Sequence, residues 1–382
     1  MVGAGVDAFL VRKPPFLTRA LQEVLARGTP VALEIRSAEP RPGHLRLRQA
    51  APADVFVSPS HGESELVARL VAHRRGRHVL PPAASRSLGP LGLGAWHHRG
   101  EDAVEVRVYP DLPRARRIAA AVRRGEFDVS GLRLRGPLGL GTDFESIRDY
   151  LPDDDIRQVN WRATARTGRP MSNQFRVDLD RDVICAVDCG RLMAAPLGDR
   201  TRLDAAIDAA VAVAAVADVL DDRSGAIAFD SDVRRRVAAR RKGAGIVATA
   251  LFDVEPARTD SDYELAFRTV SSGKRSFVLV LTDLLEESAA RPLLEAIPVL
   301  ARKHAVAVAG VADPDLSRLA EDRPLSEADA LRAVVANDVL AARRLVAVKL
   351  RAAGAQVIEA SPQGLPAACV SAYLRAKARA RV

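Results

Sequence analysis

Four apolar runs in the second half of the chain constrain its fold more than any other feature. They are DVICAVD (182–188), SFVLVLTD (276–283), HAVAVAGVAD (304–313) and AQVIEAS (355–361). Runs that do not alternate apolar with polar residues are typical of strands buried on both faces of a sheet. Helical segments separate the runs. Alternating strands and helices predict a doubly wound, mostly parallel α/β sheet.

Two local patterns add detail to this sheet. Thr201 and Asp204 stand three residues apart at the start of an alanine-rich segment, which predicts a capping box and a tightly packed helix. The segments SGAIAF (224–229) and VRRRVAAR (233–240) are joined by a short polar turn. They predict an antiparallel hairpin at the edge of the sheet.

The first half of the chain shows the shorter period of half-buried strands. VALEI, HLRLRQ, DVFVS and VEVRVY alternate apolar with polar residues and are separated by turns rich in Gly and Pro. These patterns predict a small antiparallel β-sandwich over residues 21–112. A helical linker with a charged motif follows over 113–180, and the α/β domain occupies 181–382. A chain of 382 residues is long enough for such a division.

Composition limits the compartments and partners. Three cysteines are too few for a disulfide framework and favour a reducing compartment. The net charge of +9 comes mainly from arginine, and such a charge is compatible with binding to nucleic acid or to anionic lipid. Solvated arginines spread over the surface are the simpler explanation. Aromatic residues make up only 4% of the chain, which disfavours a single-strand binder because such proteins need stacking platforms.

The sequence contains no apolar run long enough for a transmembrane helix. The start MVGAGVDAFLV is apolar but too short to span a bilayer, and residues 1–20 are therefore interpreted as a remnant of a membrane anchor. We expect a cytoplasmic protein that meets the membrane only peripherally, at its inner face, or through a missing N-terminal anchor.

Several catalytic signatures are missing. The segment SSGKRS contains Gly-Lys, but Arg268 stands where a P-loop requires glycine, and no G-x-S-x-G is present. His97 and His98 have no cysteine or histidine partners at ligand spacing. The sequence GPLGLG occurs twice, at 89–94 and 136–141, where loop glycines are a simpler interpretation than nucleotide binding. The sequence therefore predicts a non-catalytic protein.

Two of the predicted strands end in aspartate, Asp188 and Asp283. In a doubly wound sheet, ligands bind beyond the carboxyl ends of the strands. Two carboxylates at one edge could supply oxygen ligands to a hard cation.

Hydroxyl groups would normally complete such a site. Gly190 and Leu192 stand where serines would help, and Thr259 and Ser261 are the remaining oxygen donors. The sequence therefore predicts at most a weak, partly water-ligated Mg²⁺ site. The alternative is that the aspartates cap helices or bond the Gly-Arg turn that follows Asp188.

A charged motif, DYLPDDDIRQVNWRATARTGRP, covers residues 149–170. The aspartates can begin a helix, because free N–H groups and the helix dipole favour negative charge in the first turn. We expect an apolar stripe of Ile156, Val159 and Ala163, with the tryptophan and arginines off it. The motif is interpreted as an interdomain clasp or a partner surface made by Asp153, Asp154, Asp155, Arg157, Trp161, Arg162 and Arg166.

These segments carry a family resemblance. DFESIRDYLPDDDIRQVNWRATARTGRP (143–170) and DCGRLM (188–193) resemble the bacterial domain-of-unknown-function family 58. That family is similar to von Willebrand factor A-like domains, whose metal motif is D-x-S-x-S with a distant Thr and Asp. The resemblance implies Asp188, Asp283 and Thr259 as metal ligands, although both serine positions depart from the motif. It also implies N-terminal membrane helices in relatives and a MoxR-type AAA+ ATPase as partner.

Three functions are compared. The leading hypothesis is a non-catalytic adaptor or scaffold that works with the ATPase on client proteins in assembly, maturation or envelope stress. The second is a metal-dependent hydrolase that uses the Asp153–Asp155 run. The third is a nucleic-acid binder with arginine-rich faces, whose binding would fall steeply with salt.

Overall fold

The fold is taken from a computed structural model of the chain. The structure describes residues 2–100, 102–127, 138–139, 143–150, 159–176, 182–271, 274–283 and 287–379. Within these ranges, every helix is too short or too polar to cross a lipid bilayer.

The first part of the chain consists of one helix and short strands. They are α1 (Val2–Leu10), β1 (Leu17–Leu21), β2 (Val24–Ala26), β3 (Val31–Ser37), β4 (His44–Arg48), β5 (Val55–Ser58), β6 (His61–Glu63), β7 (Glu65–Ala72), β8 (Gly76–Leu80), β9 (Ala84–Leu88), β10 (Ala95–Arg99) and β11 (Val104–Tyr109).

These strands form three sheets, in the orders β1-β3-β7-β5, β10-β9-β4-β6 and β2-β11-β8. The pairs are antiparallel except for β2 with β11, which is parallel. Inward residues alternate along the longer strands, as in β7, where Leu66, Ala68 and Leu70 are buried in one apolar cluster. Antiparallel sheets in the N-terminal region are therefore confirmed, and we call residues 17–109 the β region.

Helix α1 is held to the β region by one buried carboxylate. Asp7 accepts hydrogen bonds from the backbone N–H groups of Leu91 (2.9 Å), Leu93 (2.8 Å) and Gly94 (3.0 Å). These bonds hold the pKa of Asp7 below its usual value, and the bond from Leu91 has the largest effect. A Cβ on Gly94 would lie 2.6 Å from the Cβ of Ala8, so glycine is needed for this close approach. The first GPLGLG segment is therefore the loop that receives Asp7.

The middle of the chain carries α2 (Leu112–Arg124), β12 (Leu138–Gly139), β13 (Asp143–Asp149), α3 (Trp161–Thr167) and β14 (Met171–Arg176). The strands form a small sheet in the order β12-β14-β13. The expected helical linker is therefore interrupted by strands. A bulge between Phe144 and Ser146 disturbs the period of β13, which explains why the sequence pattern did not indicate it.

Only the later part of the motif can be compared with the predicted helix, because Ile156 and the aspartates lie outside the described residues. Val159 forms a β-bridge with Ser172, and α3 begins only at Trp161. Asn160 caps it by accepting a hydrogen bond from the N–H of Ala163 at 2.9 Å. The predicted stripe is therefore wrong at Val159, because the amide side chain of Asn160 starts the helix after that residue.

The last part of the chain contains the main sheet. Its elements are β15 (Asp182–Asp188), β16 (Pro196–Leu197), β17 (Arg200–Thr201), α4 (Arg202–Val219), β18 (Arg223–Phe229), β19 (Val233–Arg240), α5 (Ala244–Leu251), α6 (Tyr263–Ser271), β20 (Ser276–Leu281), α7 (Glu287–Ala301), β21 (Ala305–Val311), α8 (Pro314–Glu321), α9 (Glu327–Ala352), β22 (Gln356–Ala360) and α10 (Leu365–Arg379).

The main sheet has the strand order β19-β18-β15-β20-β21-β22. Only β19 at the edge is antiparallel, and the other neighbours are parallel. The predicted mostly parallel α/β sheet, with a hairpin at its edge, is confirmed. The division of the chain into domains at residues 112 and 181 stays a prediction.

Helix α4 lies inside the molecule and carries the predicted capping box of Thr201 and Asp204. Most of its residues are buried, because α2, α10 and the sheet pack around it. Small alanine side chains allow the close packing that this position requires.

Two buried ion pairs join α4 to the β region, and we call them the α4 clasp. Arg27 pairs with Asp208, and Nε of Arg75 lies 2.8 Å from Oδ1 of Asp204. Burial raises the pKa of Asp208, although the charge of Arg27 opposes this shift. A surface ion pair and a ring stack extend the contact: Arg74 with Glu255 at 2.6 Å, and Tyr109 with Phe252, whose centroids are 4.7 Å apart.

Candidate functional site

The carboxyl edge of the main sheet holds a buried polar network around Asp188. Oδ1 of this residue accepts hydrogen bonds from the N–H of Gly190 (2.7 Å) and from the hydroxyl of Ser261. Oδ2 accepts from the hydroxyls of Tyr263 (2.8 Å) and Thr282 (2.6 Å). Four donors therefore surround one carboxylate that is 2% exposed.

Tyr263 belongs to this network as a permanent donor. Burial, and then the negative charge of Asp188, raise the pKa of Tyr263 well above its ordinary value. Its hydroxyl also lies 2.8 Å from that of Thr282. At neutral pH the phenol therefore remains protonated and fixes the carboxylate of Asp188.

The second aspartate of the edge is paired with arginine. Asp283 follows β20 and is buried. Arg202, the first residue of α4, forms an ion pair with its Oδ2, and Nη2 of Arg343 on α9 lies 3.3 Å from its Oδ1. Both arginines are buried and reach further acidic groups, Asp313 at 3.5 Å and Glu359 at 3.6 Å. The carboxyl edge of the sheet thus contains arginine side chains that pair with Asp283. We call Asp188, Asp283, Arg202 and Arg343 the crest.

Asp188 and Asp283 lie at the carboxyl edge as predicted, and the third predicted ligand, Thr259, contacts this region through its backbone. The side chain of Thr259 is exposed, and its carbonyl accepts a hydrogen bond from the N–H of Arg191 at 2.9 Å. Ser261 supplies the hydroxyl that meets Asp188. A Cβ on Gly190 would lie 2.3 Å from Oγ of Ser261, which accounts for glycine at the first serine position. Leu192, at the second, is half-buried.

The crest does not fit a divalent cation well. Among the described residues, no group of three or more His, Cys, Asp or Glu side chains is arranged to hold a metal. A cation near Asp283 would meet the guanidinium groups of Arg202 and Arg343, which repel it. The Mg²⁺ site stays a prediction, and its fit to these residues is poor.

The cysteines near the crest are poor nucleophiles. Burial raises the pKa of Cys185 and of Cys189 to about 12. A thiolate is the reactive form of cysteine, so both side chains are protonated and inert at neutral pH.

The charged motif is only partly described. Asp153, Asp154, Asp155 and Arg157 lie outside the described residues. On α3, Trp161 is 70% exposed, and no residue of the helix is buried. Arg162 and Arg166 are exposed as well. These three side chains form a surface on α3, which we call the α3 surface, and the role of the motif as clasp or partner surface stays a prediction.

Sequence reasoning missed the two arginines of the crest. Arg343 lies on the buried face of α9, between Ala336 and Val346. An arginine on an otherwise apolar helix face signals a buried ionic partner, because an unpaired buried charge is very costly. The sequence indicates a buried partner less clearly for Arg202, because residues in the first turn of a helix are commonly exposed to solvent.

The fold and the crest define an α/β protein with a mostly parallel sheet and a buried ionic edge. A family model described as "Protein of unknown function DUF58" matches residues 146–343. The chain belongs to this family.

Curated relatives come from mycobacteria. Over 217 residues the chain is 29% identical to the uncharacterized proteins Rv1480 of Mycobacterium tuberculosis and Mb1516 of Mycobacterium bovis. The alignment covers 52% of this chain and 66% of each relative, so the chain spans slightly less than two thirds of their length.

A structure comparison pairs the chain with a superoxide reductase (neelaredoxin) from Ignicoccus hospitalis. The two are 15% identical, and the match covers 28% of this chain and 89% of that one, with a TM-score of 0.17. That score is too low to indicate a shared fold.

Proposed function

We propose that this chain is a non-catalytic adaptor with a von Willebrand factor A-like sheet that holds client proteins for a MoxR-type AAA+ ATPase. The observation that carries the proposal is the ionic composition of the crest. Arg202 and Arg343 occupy the carboxylate of Asp283, and four donors fix Asp188. Groups held in this way have neither a free base nor an activated nucleophile to offer a substrate.

The strand order supports the likeness to von Willebrand factor A domains. Numbered along the chain, the main sheet reads 3-2-1-4-5-6, with strand 3 antiparallel at the edge. In such a sheet the ligand surface lies at the carboxyl ends of the strands. Here that surface is neutralised by arginine, so we expect partner binding that does not require a metal ion.

The α3 surface is the proposed contact for the partner. Tryptophan and arginine dominate the energetics of protein interfaces, and Trp161, Arg162 and Arg166 are exposed together. Such residues have little structural role when they are solvated. Their exposure therefore supports recognition and not interdomain packing.

Binding of a purified MoxR-type ATPase from the same host to the immobilised chain tests the proposal. We expect Trp161→Ala to weaken binding roughly 30-fold, which corresponds to about 2 kcal/mol for a central interface residue. Trp96→Ala is the matched control, because Trp96 is the other tryptophan, is also exposed and lies on β10. Binding should persist in EDTA in the absence of nucleotide.

Two results would overturn the adaptor function. One is unchanged ATPase binding in both Trp161→Ala and Arg162→Ala. The other is a hydrolytic activity that disappears in Asp153→Asn or Asp154→Asn, which would establish the hydrolase hypothesis.

A further inference from the structure

Helix α9 is apolar on two opposite faces. Its inner face, Ala336, Arg343, Val346, Ala347 and Leu350, is buried against the rest of the α/β region. A surface helix of a globular protein normally carries polar residues on the opposite side. In α9 the outer face carries exposed aliphatic residues instead: Leu331 (69% exposed), Val334 (58%), Leu345 (48%) and Val348 (58%).

The outer residues follow the spacing of a helix-pairing seam. Leu331, Val334, Asp338, Ala341, Leu345 and Val348 are separated by three and four residues in strict alternation, and all are exposed. This is the a/d pattern by which one helix packs along another. We call these six residues the α9 seam. Exposed apolar stripes of this length mark interaction sites, because they cost free energy in water.

The charges beside the seam select the partner. On or beside the seam, the N-terminal half of α9 carries the acidic residues Glu327 and Asp338, and the C-terminal half carries Arg344, Lys349 and Arg351. Asp329 and Arg332 pair with each other at 3.0 Å, away from the seam. When a second copy of α9 runs antiparallel, the acidic half of each helix faces the basic half of the other. A parallel arrangement would bring like charges together, which is unfavourable.

The spacing of the seam is also consistent with a twofold axis. The twofold axis lies between Val339 and Leu340, so that Leu331 lies opposite Val348, Val334 opposite Leu345, and Asp338 opposite Ala341 and within one helical turn of Arg344. The small side chain of Ala341 beside the axis lets the two helices approach closely. The polar Asp338 then finds an opposite charge, and such pairs fix the register of paired helices.

We propose that α9 is a self-association surface on which two copies of this chain pair antiparallel through the α9 seam. A helix of 26 residues is about 39 Å long and about 10 Å wide, which gives a footprint on the order of 400 Å² per copy. The total of about 800 Å² is below that of a stable standard interface, so the dimer is weak and concentration-dependent.

Sedimentation velocity of the full chain over a concentration series tests for the dimer. We expect reversible dimerisation, and we expect Leu345→Glu to raise its Kd at least roughly tenfold, because a charge would be buried in the seam. Val79→Glu is the control, since Val79 is also an exposed aliphatic residue but lies on β8. Circular dichroism checks that both variants are folded. A wild-type chain that remains monomeric throughout, or a Leu345→Glu variant that dimerises like Val79→Glu, overturns the proposal.

Charge reversal tests the antiparallel pairing. Asp338→Arg alone and Arg344→Asp alone should each weaken the dimer, because each places like charges beside each other across the interface. The double variant should recover most of the lost affinity. A double variant weaker than both single variants overturns the proposed register.

Cysteine cross-linking determines the direction of the helices. The native cysteines are buried, so introduced thiols react selectively. A mixture of Val334→Cys and Leu345→Cys chains should form a disulfide-linked dimer on oxidation, whereas each variant alone should not. A disulfide formed by Val334→Cys alone indicates parallel helices and overturns the proposal.

Discussion

Removal of Arg75 is the sharpest test of how the β region is attached to α4. Its guanidinium is buried, with Nε 2.8 Å from Oδ1 of Asp204 and Nη1 3.2 Å from the carbonyl oxygen of Phe252. Arg75→Met keeps most of the aliphatic volume but leaves Asp204 buried without its cation. Loss of one partner of a buried ion pair costs about 3–5 kcal/mol.

We expect the loss of stability in Arg75→Met to lie at the lower end of this range. Asp204 keeps hydrogen bonds from the N–H (2.8 Å) and the hydroxyl (2.9 Å) of Thr201. These donors continue to stabilise its charge when Arg75 is absent. We therefore expect Arg75→Met to lower the free energy of unfolding by about 3 kcal/mol.

Urea denaturation, followed by tryptophan fluorescence and circular dichroism, measures this loss. Arg77→Met is the matched control: Arg77 is exposed on β8 and pairs with Glu105 at 3.0 Å. Exposed pairs contribute only about 0–1 kcal/mol. Removing Asp204 as well should cost less than the sum of the single changes, because no buried charge is then left alone. Equal effects of Arg75→Met and Arg77→Met, with unchanged m-values, would refute the reasoning.

Three further outcomes are expected. Tyr263→Phe should lower stability by about 1.5–3 kcal/mol in thermal unfolding, because the buried carboxylate of Asp188 loses a donor at 2.8 Å. Trp161→Ala should change stability by no more than about 0.5 kcal/mol, since its side chain is 70% exposed. The docking of α1 should be pH-dependent: the pKa of Asp7 is lowered in the folded state, so this stabilisation is present above the unfolded-state pKa and is lost as the pH falls through the folded-state pKa. Trp96 fluorescence in an acid titration follows this loss.

Each of these outcomes has a control. Thr259→Ala removes an exposed hydroxyl near the same edge and should leave the melting temperature nearly unchanged. Asp7→Asn removes the titrating group, so its α1 docking should not depend on acid pH; a persistent transition would show that another group is responsible. A large stability loss in Trp161→Ala would contradict the exposed position of α3.

The sequence predicted elements whose causes are local. Val183–Val187 form an interior strand because an apolar run without alternation can be buried on both faces. Thr201 and Asp204 form the capping box because both partners lie within one helical turn. The hairpin of β18 and β19 likewise depends on neighbouring residues and a short turn.

The features that were not predicted depend on contacts between distant segments. Arg202 and Arg343 meet Asp283 only after three elements have packed. The apolar composition of the N-terminal residues suggested a membrane anchor, but Asp7, the one charged side chain of α1, positions the helix on a loop more than 80 residues away. The hydrophobic pattern and the residue spacing of the sequence do not indicate contacts between such distant residues.

The first turn of α4 has a mechanical consequence. Arg202 holds the carboxylate of Asp283 at the crest, and two residues later Asp204 holds Arg75 of the β region. A force that shifts the β region therefore acts on the same helical turn that balances charge at the crest. A ligand at the crest that prefers one position of this turn would change the affinity of a second ligand bound to the β region. The second ligand would change the affinity of the first by the same factor, since such coupling is reciprocal.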